Sequence, residues 1–83
     1  MPEITRFNGI VIKMFTRGEH NPPHIHAIYN EHNSVIEIAT SNAIEGDLPA
    51  KQLKQVKEWA KQYKTELQQM WDDKEIVNLP PLE

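Results

Sequence analysis

Residues 50–74 contain neither glycine nor proline, and apolar side chains recur along them at helical spacing. Leu53, Val56, Ala60, Tyr63, Leu67, Met70 and Trp71 follow i, i+3, i+4, i+7 intervals, with Trp59 at one edge of the stripe. The pattern predicts one long amphipathic helix over about 48–74. Asp47-Leu48-Pro49 reads as its start, because Asp can accept from orphan helix N–H groups and Pro is tolerated in the first turn. The tail, residues 75–83, contains Asn78-Leu79-Pro80-Pro81-Leu82 and cannot continue the helix. Its leucines are expected to pack on the body or on a partner.

A helix with one apolar stripe needs a surface to cover, and the first half of the chain reads as a sheet. Ile10 to Phe15 is almost continuously apolar, as in a strand buried on both faces. Gly9 marks a bulge or turn ahead of it. Pro22 and Pro23 lack backbone donors, so strand pairing resumes only near His24. From there the residues alternate. Ile25, Ala27 and Tyr29 point one way, towards the helix, and His24, His26 and Ile28 point the other. Asn30-Glu31-His32-Asn33 is expected as a four-residue hairpin loop before Val35–Ala39, and Ala43-Ile44-Glu45 as a short fourth strand. The expected fold is therefore α+β: a small antiparallel sheet of three to four strands with one long C-terminal helix packed on one face. The whole chain, 1–83, reads as one domain, β-rich over 1–46. The apolar first strand would leave Val11 and Phe15, or else Ile10, Ile12 and Met14, on the uncovered face. An apolar patch of that kind predicts a partner surface, filled by a homodimer or a small partner protein.

Composition narrows the function classes. At 83 residues the core is modest, and chains of this size often rely on a metal, disulfides or a second subunit. No cysteine is present, which removes disulfides, thiolate metal sites and a thiol nucleophile. The net charge of −3 argues against a dedicated nucleic-acid binder. No apolar run reaches the ~20 residues of a membrane span, and the N-terminal residues lack a basic and apolar leader pattern. A cytoplasmic protein without a membrane role is expected.

Three of the four histidines lie in His20-Asn21-Pro22-Pro23-His24-Ile25-His26. On a strand, His24 and His26 share one face with Cα atoms ~6.6–7 Å apart, close enough for both imidazoles to meet one ion. His20 could return over the Asn-Pro-Pro turn as a third ligand, and Glu37 is a candidate fourth if the register puts it on that face. Three nitrogens and one oxygen suit a divalent metal such as zinc. A second reading is acid–base chemistry, since histidine titrates near neutrality. His20, His24 and His26, with Arg6, Arg17 or Lys13 facing a developing anion, would make a metal-independent, ribonuclease-like site. The third reading is structural: the histidines buttress the turn by donating to carbonyls.

Lys54, Lys57, Lys61 and Lys64 fall on one helical stripe beside the apolar face. Such a stripe can contact the phosphates of a nucleic acid, although lysines more often coat a solvated face. Trp59, Tyr63 and Trp71 read as core or interface anchors.

The whole chain resembles the bacterial family called domain of unknown function 4160. The resemblance is carried by Met1-Pro2-Glu3-Ile4, Arg6-Phe7 and Gly9-Ile10-Val11-Ile12, and above all by the run from His20 to His26. Gly46, Leu48-Pro49, Trp59 and Pro81-Leu82 add to it. Ile25 departs from the family pattern, where an aromatic residue is common, but keeps the position apolar. The resemblance implies a small bacterial or phage-borne protein without an assigned activity. It also implies pairing with another small domain, in an arrangement similar to toxin–antitoxin or regulatory modules. The leading expectation is thus an interaction component of such a pair, with the ribonuclease-like and zinc-binding readings beside it.

Overall fold

The computed structural model describes residues 3–15 and 22–82. Five strands form one antiparallel meander: β1 (Glu3–Phe7), β2 (Ile10–Lys13), β3 (His24–Tyr29), β4 (His32–Glu37) and β5 (Ala43–Gly46). They lie in the spatial order β1-β2-β3-β4-β5. Two helices follow, α1 (Ala50–Gln62) and α2 (Lys64–Asp73). The α+β class and the antiparallel sheet agree with the sequence reading, whereas the three to four strands and the single long helix do not.

The extra strand comes from Asn8-Gly9. Both residues have positive φ, 50° and 78°, the mark of a type I′ turn whose twist matches that of the flanking strands. The chain therefore reverses there, and β1 pairs back on β2 with Phe7 opposite Ile10. The expected four-residue loop is likewise shorter. Tyr29 pairs directly with His32, so Asn30 and Glu31 alone make the turn, with Asn30 in the left-handed region at φ 53°. Asn enters that region at low cost because its short polar side chain bonds locally.

The helical stripe is divided at Tyr63, which departs from helical geometry at φ −110° and ψ 24°. Hydrogen bonds run through the break, from the Tyr63 amide to the Trp59 carbonyl and from the Leu67 amide to the Tyr63 carbonyl. The result is a bend between two helices. Val56, Trp59 and Ala60 on α1, and Leu67, Met70 and Trp71 on α2, all join the core. That core covers one sheet face through Ile10, Ile12, Ile25, Ala27 and Ile36. At the end of α2, Lys74 turns left-handed at φ 59°. The Lys74 and Glu75 amides both reach the Met70 carbonyl and close the helix.

The tail packs on the body. Ile76, Leu79 and Leu82 lie against the core. The Leu79 amide donates to the Ile4 carbonyl at 3.0 Å, which occupies part of the outer edge of β1. Trp59 Nε1 donates to the Pro80 carbonyl at 2.8 Å.

Asp47 does not cap α1. It lies on the far side of Pro49, the residue that immediately precedes the helix, and its carboxylate turns back to β4. Oδ2 accepts from His32 Nδ1 and Oδ1 from the Asn33 amide, each at 3.2 Å. The Leu48 amide donates to the buried Ser34 hydroxyl at 3.0 Å. The approach to the helix is thus fixed by the sheet. Gly46, at φ 111°, sits so close to β4 that a Cβ there would come within 2.1 Å of the Asn33 carbonyl oxygen, a position open to glycine alone.

The His32 and Asn33 bonds hold the Asp47 carboxyl below its ordinary value of 3.8. A carboxyl depressed by folding contributes stability above its unfolded pKa and loses it as pH falls through the lowered folded value. Acid unfolding should therefore depend less steeply on pH below 3.8 in Asp47→Asn than in the wild type. Circular dichroism during acid titration checks this, and identical slopes would count against the Asp47 tie.

Candidate functional site

The register decides which side chains share the face that the helices leave uncovered. Lys13 lies opposite His26, His26 opposite Val35, and Val35 opposite Glu45. In the next row Arg6, Val11, Ile28 and Asn33 are neighbours. In the row on the other side of the first, His24 lies opposite Glu37. Of the two apolar sets considered for the open face, Val11 belongs there, while Ile10, Ile12 and Met14 are buried in the core.

An aromatic chain runs along one end of the sheet. Phe15 meets His26 edge-on at 4.8 Å between ring centroids, and His26 meets His24 at 5.1 Å. His24 then meets Trp71 of α2 at 5.0 Å. His24 is 7% exposed, and its Nδ1 lies 2.8 Å from the Pro22 carbonyl oxygen. A carbonyl only accepts, so Nδ1 carries the proton in this bond. His24 thereby ties the Pro-Pro segment to the first residue of β3, and Trp71 covers its ring. His26 remains half-buried on the open face.

Arg6 is exposed and engaged by Glu3, with Nη2 to Oε1 at 2.9 Å. The guanidinium's hydrogen bond lowers the Glu3 carboxyl below 4.5, and Glu3 in turn raises Arg6. Arg6 stands two strands from His26, whereas Lys13 is its direct cross-strand neighbour. Glu37 does share the histidine face, but its Oε1 accepts from Thr40 Oγ1 at 2.7 Å. Among the described residues no group of three or more His, Asp or Glu is placed to hold a metal ion. His20 and Arg17 lie outside the described residues.

The predicted lysine stripe is divided by the bend. Lys54, Lys57 and Lys61 line one open groove with Leu53, while Lys64 lines another beside Asp72 and Asp73. No helix is long and apolar enough to cross a membrane among the described residues.

The sequence reading did not foresee the Trp71–His24 contact or the tie from Asp47 to His32. Both join residues far apart in sequence, and period-2 alternation gives faces without saying what wraps round the end of a sheet.

A family model described as Domain of unknown function (DUF4160) matches residues 9–72, including the run from His20 to His26. The chain belongs to the DUF4160 family. No curated protein and no solved structure matches it. In this DUF4160 chain the matched segment takes in β2 to β5, α1, α2 as far as Asp72, and the whole aromatic row from Phe15 to Trp71.

Because His24 is buried and bonded while His26 is half-buried, the two should differ in their effect on stability. His24→Ala removes the bond to the Pro22 carbonyl and opens a gap beside Trp71, at a cost of about 1–3 kcal/mol. His26→Ala should cost under about 1 kcal/mol. Urea unfolding of the two variants checks the order. Equal losses would place both rings in the same structural role.

Proposed function

We propose that this DUF4160 chain is a protein-interaction component of the kind found in paired modules, toxin–antitoxin-like or regulatory, and that the sheet face its helices leave open is a protein-binding surface. The observation that carries this reading is the one-sided layering. Both helices and the tail's apolar residues pack on one face, so half-buried Val11, His26, Ile28 and Val35 line the other. A contiguous set of apolar and aromatic side chains rimmed by charges has the make-up of a protein interface. His26 and Phe15 add flat rings of the type that anchor such contacts.

The histidine geometry favours this reading over catalysis. General acid–base work needs two groups that reach substrate. His24 is covered by Trp71 and spends Nδ1 on Pro22, and Arg6 is held by Glu3. The zinc reading would draw on His24, His26, Glu37 and His20, and Glu37 is already bonded to Thr40.

Photo-crosslinking in cells tests the proposal whatever the occupant. A crosslinking amino acid at Ile28 or Val35 should give discrete adducts. The same group at Gln62, on the exposed side of α1, should give none. Absence of adducts from the sheet face, or equal adducts from all three positions, would overturn the reading.

A further inference from the structure

Resting on that reading of the open face, we infer that its occupant is a second copy of this chain, stacked sheet on sheet about a two-fold axis that runs along the strands. Charge is distributed across the face so that it complements itself. The row Lys13, His26, Val35, Glu45 crosses β2 to β5 in order. On β1 the row continues to Glu3, which pairs with Lys13 and holds Arg6; from β2 to β5 it is cationic at one end, acidic at the other and carries His26 and Val35 between.

A two-fold axis parallel to the strands, between β3 and β4, reverses this row onto itself. Lys13 then faces Glu45 of the second copy, His26 faces Val35, and both contacts occur twice. The alternative axis, across the strands, places Glu45 on Glu45 and Lys13 on Lys13, a like-charge arrangement that disfavours it. Isologous pairing of this kind needs a surface complementary to itself, and this row supplies it.

The distances suit the arrangement. Stacked sheets lie about 10 Å apart, which a lysine and a glutamate extended towards each other span. Aligned sheets cross at about −30°, and Lys13 and Glu45 are each about 7 Å from the axis. The crossing therefore shifts their Cα atoms by only about 4 Å. Beside the axis, a hollow of ≈ 120 Å³ lined by His26, Val35, Asn33 and Glu45 is of a size to take one side chain, and the two-fold axis delivers Val35 or His26 to it.

The test uses the purified full chain alone, by sedimentation equilibrium over a concentration series. The wild type should reach a dimer mass. Lys13→Glu and Glu45→Lys should each weaken association by about tenfold or more, and the double exchange should restore it to within about threefold of wild type. Val35→Asp, with unchanged circular dichroism, should be monomeric. A wild type that stays monomeric at every concentration, or a dimer indifferent to both charge reversals, overturns the inference. Crosslinks in cells from Ile28 and Val35 to a different protein, with a monomeric purified chain, would overturn the second copy while leaving the face as the interaction surface.

Discussion

Trp59 holds the helical layer, the sheet and the tail together. Its fully buried ring lies 6.2 Å from Phe7 of β1 and 5.3 Å from Tyr63 at the helix bend. Its indole N–H donates to the Pro80 carbonyl. A buried indole needs an acceptor for that N–H, and the one it finds draws the tail back across the body. The Leu79 bond to Ile4 then occupies part of the β1 edge. Tail and helices are thereby committed to one face, and among the described residues no other helix covers the opposite one.

This commitment gives the histidine run its setting. His24 belongs to the structure: its bond to Pro22 and its contact with Trp71 fasten the start of β3 to the end of α2. His26, one step along the same face, packs between Phe15 and His24 and meets Lys13 and Val35 across the strands. Two histidines of one motif thus have different work, one in holding the fold and one in shaping the surface.

Much of this was legible in the sequence, for local reasons. The alternation of His24 to Tyr29 gave the faces correctly, and the 3.6-residue spacing identified which helical residues are core, Trp59 included in spite of its place at the margin of the stripe. Gly9 reads as a bulge or turn, but Glu3–Phe7 ahead of it lacks a clean period-2 alternation and reads as an extension rather than as a paired strand. The bend at Tyr63 has no such marker. Neither glycine nor proline stands there, and the contacts around it, from Tyr63 to Trp59 and from Trp59 to Pro80, are tertiary. The same holds for Asp47, whose type and position suit a helix cap but whose carboxylate is claimed by His32 and Asn33 of a neighbouring strand. The reverse holds at Arg6 and Glu37: the sequence pattern brings both towards the histidines, and in the fold they bond locally, to Glu3 and Thr40.

In the proposed assembly the sheet face that the helices leave open meets a second copy of this chain. Isotope-filtered nuclear Overhauser spectroscopy on a mixture of labelled and unlabelled chain tests that contact. Sheet-on-sheet stacking should give intermolecular cross-peaks between the Val35 methyl groups and the His26 ring. Cross-peaks confined to the outer surfaces of α1 and α2, or none from Val35 at concentrations where the chain self-associates, would contradict it.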